Sequence, residues 1–160
     1  MNMEISEINS SEDRYLVFGL EDRLYGIEIN YLSEIIPVPQ ITEVPNMKDY
    51  VTGVADLRGK VIPVFDTKIR LGMTSCEMEE RTCLIVLNVR GIQIGFIADS
   101  VKEVMEISKE EADPLQNMKE MEHSEFIHAA GRLKNDQIVI LLNAEKMTAG
   151  EHCLSARSEK

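Results

Sequence analysis

The chain has no tryptophan, only five prolines, and no long apolar run in its 160 residues. Its longest unbroken apolar stretch is "IVILL" at 138–142, against the roughly 20 residues that a membrane-spanning helix needs. No insertion into a membrane is expected. The first residues, "MNMEISEINSSEDR", lack both a basic n-region and an apolar h-region, so no secretory leader is expected and a cytoplasmic location follows. Positive charge is also scarce: 17 Lys and Arg stand against 28 Asp and Glu, a formal net charge of −11. A surface of that sign repels phosphate backbones, which removes nucleic acid from the expected partners.

Cysteine is just as sparse. Cys76, Cys83 and Cys153 are odd in number, widely spaced and never in a C-x-x-C pair, so neither a disulfide framework nor a zinc site is indicated. His123, His128 and His152 form no metal-ligand spacing. The chain has no G-x-x-x-x-G-K, G-x-S-x-G or G-x-G-x-x-G, and no cofactor or metal is expected. A thiol-dependent enzyme using Cys83 and His128 stays open as a reading from another class, although nothing near either residue suggests an oxyanion donor or an orienting acid. Cys83 opens an apolar run, where a buried, inert thiol is the ordinary reading.

What is present is a soluble globular composition, 44% apolar and 28% charged, long enough for one domain or two small barrels. Short runs rich in aromatic and β-branched residues predict strands at 15–20 and 23–29 around Glu21-Asp22. A second hairpin is expected over 84–89 and 92–98 around Arg90-Gly91, then strands at 101–107, 126–133 and 137–142. Asp66 and Asn143 each precede a short helical stretch. A capping-box pattern at Ser108 and Glu111 predicts one more helical turn.

The segment "GVADLRGKVIPVFD" at 53–66 carries the most information. Asp56 suits the first position of a type I turn, with Leu57 and Arg58 central and Gly59 supplying the positive φ of a G1 bulge. Pro63 has no N–H to donate, which places its strand at a sheet edge or a bulge. The segment also belongs to an internal repeat. Aligning Gly26 with Gly95 brings Leu32 onto Val101, Glu34 onto Glu103 and Ile35 onto Val104, and further along Asp66 falls on Asn143. Two copies of a unit built from several short strands imply two similar small β-barrels.

In order, "YLVFGL", "LYGIEI", "YVTGVADLRGKVIPVFD", "IVLNVRG", "IQIGFIADSVKEV" and "IVILLNAEKM" resemble the CheW-type chemotaxis coupling family over residues 15–147. The resemblance implies a mainly β fold of two tandem five-stranded SH3-like barrels with short connecting helices. The first barrel is expected at about 15–72 and the second at about 82–147, between flexible tails at 1–14 and 148–160. It implies no catalytic activity and an adaptor role, joining the cytoplasmic tip of transmembrane methyl-accepting chemoreceptors to the regulatory domain of the histidine kinase CheA. Recruitment to membrane-associated receptor arrays would follow. Related coupling domains in non-flagellar pathways, in receiver-fused adaptors or in the kinase itself share the pattern. The residues it assigns to receptor contact are Leu32, Glu34, Gly53, Arg58, Gly95, Val101 and Val104. Kinase contact is implied on apolar strands, 84–98 and 137–142, without assignment to single residues. The family hairpin reads N-L-R-G, so Asp56 departs from it, and Asp56 and Glu34 are both candidate partners for Arg58.

Overall fold

The computed structural model describes residues 14–74, 78–107, 124–133 and 135–149. Ten strands account for most of it: β1 (Arg14–Leu20), β2 (Arg23–Glu28), β3 (Leu32–Pro37), β4 (Val51–Leu57), β5 (Lys60–Asp66), β6 (Cys83–Val89), β7 (Ile92–Ala98), β8 (Ser100–Glu106), β9 (Ile127–Arg132) and β10 (Ile138–Leu142). Two single-turn helices, α1 (Thr67–Arg70) and α2 (Ala144–Met147), follow β5 and β10. Asp66 and Asn143 cap them as the sequence predicts, each accepting from a backbone N–H three residues on, at 3.1 Å. The expected helical turn at Ser108 lies outside the described residues.

The strands form two five-stranded sheets, ordered β3-β6-β7-β5-β4 and β8-β1-β2-β10-β9. The two orders superimpose strand for strand, each with one parallel pair, β5–β7 and β2–β10. The repeat therefore exists in three dimensions, yet the barrels are not sequential. Residues 15–72 do not form one of them: β1 and β2 join β8–β10 in a terminal unit, while β3–β5 join β6 and β7 in a central unit. The two repeats have exchanged their first two strands. The cause is local. Between β2 and β3 lies only a 3₁₀ turn at Ile29–Tyr31, and between β7 and β8 only Asp99. Neither junction carries the positive φ that a two-residue hairpin demands. The chain runs forward into the other sheet.

Each unit has its own apolar interior, around Tyr15, Val17, Val139 and Leu141 in the terminal unit and around Ile62, Val64, Leu84 and Val86 in the central one. A third and larger core lies between the sheets and includes Leu16, Phe18, Ile27, Phe65, Leu87 and Phe96. Arg70 seals this seam. Its guanidinium sits 4.0 Å from the Tyr50 ring centroid and 4.6 Å from that of Phe126. It also donates to the carbonyls of Met147 at 3.1 Å and Ala149 at 2.8 Å, and its half-burial pulls its pKa down. Thr148 is buried, so the expected C-terminal tail is held through Ala149. The rest of both tails lies outside the described residues.

Pro63 is a second correction. β5 is an inner strand, between β4 and β7. Val54, opposite Pro63, exchanges both backbone bonds with Thr42 on the other side, so the prolyl nitrogen faces β7, where pairing begins only at Val64. The missing N–H costs no ladder bond.

Among the described residues, one buried side-chain polar atom at the inter-sheet core is unsatisfied. The Thr67 hydroxyl is buried without a hydrogen-bond partner, beside an apolar void of about 10 Å³ lined by Phe18, Phe96 and Met147 among others. Ala144 holds the matching place in α2 and has no such group. Thr67→Val keeps the shape and removes the orphan, and is expected to raise stability by about 1 kcal/mol in urea melts. A loss of stability would show that the hydroxyl is satisfied in solution.

Candidate functional site

The site starts from a two-residue loop. Leu57 pairs with Lys60 across the β4–β5 hairpin, leaving Arg58 and Gly59 at the tip with φ of 55° and 84°. Two positive φ values mark a type I′ turn, whose twist matches the strands, not the expected type I turn with Leu57 and Arg58 central. Asp56 Oδ1 accepts from the Gly59 N–H at 2.8 Å. That carboxylate closes the turn and leaves Arg58 for another partner.

The partner is Glu34. Arg58 Nη1 and Nη2 each donate to a Glu34 carboxylate oxygen at 2.7 Å, the bidentate geometry that only a guanidinium provides. The pair joins the two edges of the curled sheet, since Glu34 lies on β3 and Arg58 at the end of β4, the two edge strands of the central unit. The pair clasps one edge to the other. Its hydrogen bonds from Arg58 hold the Glu34 carboxyl below the usual carboxylate range, and Glu34 in turn raises the guanidinium pKa. Both stay charged at neutral pH. The Glu34 side chain is 19% exposed and that of Arg58 73%, so one face of the guanidinium is open to a ligand.

The other five candidates divide. Leu32 and Val101, matched by the repeat, are half-buried against the inter-sheet core, and Val104 is exposed on the edge strand β8. Gly53 and Gly95 are buried. A Cβ on Gly53 would overlap the Thr42 carbonyl, and one on Gly95 would lie 2.8–2.9 Å from three Leu84 side-chain atoms. These two glycines make room inside the central unit. Direct contact is open to Leu32, Glu34, Arg58, Val101 and Val104.

A family model described as the CheW-like domain matches residues 14–151. The chain belongs to the CheW-like family. Among its curated relatives, the chemotaxis protein CheW of Klebsiella aerogenes is 29% identical over 86% of this chain and 82% of its own length. The Bacillus subtilis chemotaxis protein CheW is 31% identical over 68% and 69%. Chemotaxis protein CheV3 of Helicobacter pylori is 26% identical, with the match spanning 91% of this chain but 49% of that protein. The scaffolding protein TtCheW from Thermoanaerobacter tengcongensis has a similar solved structure, with a TM-score of 0.78, 26% identity and coverage of 86% and 93%. The CheW-like fold is two SH3-like units, as expected, and the family is one of chemotaxis scaffolds.

Within this CheW-like chain the thiol reading finds no geometry. Cys83 opens β6 of the central unit and His128 is exposed on β9 of the terminal unit, and burial pushes the thiol pKa up, away from a reactive thiolate. No helix among the described residues is long and apolar enough to cross a membrane. The two stretches implied for kinase contact also separate, because β6–β7 lies in the central sheet and β10 in the terminal one.

The hairpin expected around Arg90-Gly91 is present between β6 and β7, but its likeness to the Arg58 hairpin was not anticipated. Asn88-Val89-Arg90-Gly91 repeats the pattern of Asp56-Leu57-Arg58-Gly59, with φ of 57° and 83° at the tip and Asn88 Oδ1 accepting from the Gly91 N–H at 3.0 Å. Arg90 donates to Glu145 Oε1 at 2.8 Å, and Tyr31 donates to the other oxygen at 3.2 Å. The signal was an Asx-x-Arg-Gly between two apolar runs.

Proposed function

We propose that this chain is a non-catalytic adaptor that couples the cytoplasmic tip of methyl-accepting chemoreceptors to the regulatory domain of the kinase CheA in a chemotaxis array. The observation that carries the reading is the Arg58–Glu34 clasp: a fixed, outward-facing guanidinium on the edge of a unit, with Leu32 two residues from Glu34 on the same strand. A receptor tip is a helical surface, and docking one requires apolar contact plus a group that fixes its orientation. Leu32, Val101 and Val104 supply the first and Arg58 the second, while Gly53 and Gly95 keep the central unit in shape. For the kinase leg, each implied segment offers one exposed apolar side chain, Ile92 on β7 and Ile138 on β10.

Titration calorimetry tests both legs. The purified chain is expected to bind a soluble receptor-tip fragment and, separately, an isolated CheA regulatory domain. Arg58→Ala is expected to weaken the receptor leg by roughly tenfold or more, as for a central arginine anchor, and to leave the kinase leg unchanged. Arg58→Lys keeps the charge but loses the fork, and should fall between the two. Equal weakening of both legs, or of neither, would remove Arg58 from the docking face. Failure of the wild type to bind either partner would overturn the adaptor reading.

A further inference from the structure

The internal repeat relates more than strands. The offset that sets Gly26 on Gly95 also sets Glu21 on Arg90 and the junction Asn30-Tyr31 on Asp99-Ser100, and the offset that sets Asp66 on Asn143 sets Lys68 on Glu145. These are the residues that tie one unit to the other. At one end Lys68 of α1, in the central unit, bonds Asp99 at 2.9 Å, and Asp99 accepts from the Glu21 N–H in the β1–β2 turn at 2.7 Å. At the matching end Glu145 of α2, in the terminal unit, holds Arg90 in the β6–β7 turn and Tyr31 at the β2–β3 junction. Helix, turn and junction meet in both places around a carboxylate, with the sign of the helix residue's charge reversed, Lys68 against Glu145.

The two ties differ in their access to water. The Lys68 and Asp99 side chains are 7% and 33% exposed, whereas those of Arg90 and Glu145 are 78% and 44% exposed. Separating a cation that is 7% exposed from its carboxylate is costly, so the first tie stays closed. An exposed pair is weak and screened by salt, so the second opens and closes. The cleft of about 470 Å³ beside Lys68 adds no pull of its own, since Arg23, Arg81 and Lys102 are balanced there by Glu21, Asp22 and Glu79.

We propose that the two units are joined by a permanent latch at Lys68–Asp99 and a releasable latch at Arg90–Glu145–Tyr31, and that release frees the β6–β7 turn and the start of β3. Tyr31 directly precedes Leu32, and β6 is paired with β3 through Leu87 opposite Leu32 and Val86 opposite Glu34. The releasable latch therefore bears on the strand that carries Leu32 and Glu34, and the Glu145 carboxylate adds a polar hold from the terminal unit to the apolar packing of Tyr31 and Leu32 on the inter-sheet core. The device belongs to the free protein and stands whether or not the receptor reading does.

Amide hydrogen exchange tests it in two ways on the full chain. In Glu145→Gln, segments 29–36 and 85–95 are expected to exchange roughly two- to fivefold faster, the range for losing one exposed ion pair, while 19–24 and 66–72 are unchanged. Wild-type protein should show the same pattern when sodium chloride shortens the screening length to about 3 Å. No acceleration at 29–36 and 85–95 in either experiment, or an equal acceleration at 19–24 and 66–72, overturns the proposal.

Discussion

Asp99→Ala is expected to lower the stability of the folded chain by about 3–5 kcal/mol, the range for breaking a buried ion pair by removing one partner. The loss is a large part of the roughly 5–15 kcal/mol that a domain possesses. Asp99 Oδ2 accepts from both Lys68 Nζ and the Glu21 N–H, so alanine takes a carboxylate away from a cation whose side chain is 7% exposed and releases the turn that holds Glu21 at φ of 60°. Two further variants separate these effects. Asp99→Asn keeps an acceptor for the Glu21 N–H but loses the charge, and should fall in between. Adding Lys68→Met to Asp99→Ala removes the cation that has lost its carboxylate and should recover most of the loss, because an apolar pair in place of a buried ion pair is close to neutral. Urea melts give all three values. A loss under about 1 kcal/mol for Asp99→Ala would mean that Lys68 reaches water in solution and that this end of the molecule is not locked.

Much of this architecture was legible in the sequence because local pattern decides it. β1, β2, β6, β7 and β10 carry dense apolar runs bounded by two- to five-residue turns, and Asp66 and Asn143 announce α1 and α2. β3 carried no such signal. Its half-buried positions are Leu32, Glu34 and Ile36, while Ile35 is exposed. A bulge between Leu32 and Glu34 and the clasp with Arg58 turn the charged residue inward, which inverts the alternation that marks a strand. The exchange of strands between repeats was not legible either, since a forward-running 3₁₀ turn and a hairpin loop of equal length differ in backbone angles and not in composition. At the site, the resemblance supplied Arg58 and Glu34, but the choice between Glu34 and Asp56 as the partner needed the turn type. A type I′ turn points the Gly59 N–H at Asp56 and leaves the guanidinium to reach Glu34 on the other edge strand.

The two glycines assigned to receptor contact lead to the other large effect. Gly53→Ala and Gly95→Ala are both expected to destabilise the fold, for different reasons and with different cures. At Gly95 the new methyl would press on three atoms of the Leu84 side chain at 2.8–2.9 Å, an overpacking that costs about 1–3 kcal/mol. The obstacle is a side chain, so Leu84→Ala should relieve it, and the double variant should be more stable than the sum of the single losses allows. The matching Gly26 already shows the milder form of this packing, with Leu141 as its nearest neighbour at 3.0 Å. At Gly53 the obstacle is backbone. The methyl would overlap the Thr42 carbonyl, which is paired with Val54 by bonds of 2.8 and 2.9 Å, so the 42–54 bridge has to part and no side-chain change restores it. The loss there should reach or exceed the top of the range given for Gly95. If these glycines touch the receptor directly, the variants would instead weaken its binding while melting like the wild type. If they act through packing, stability falls first and binding to receptor and kinase falls in parallel, because the clasp on the receptor side and the exposed Ile92 of β7 on the kinase side both depend on the shape of the unit those glycines permit.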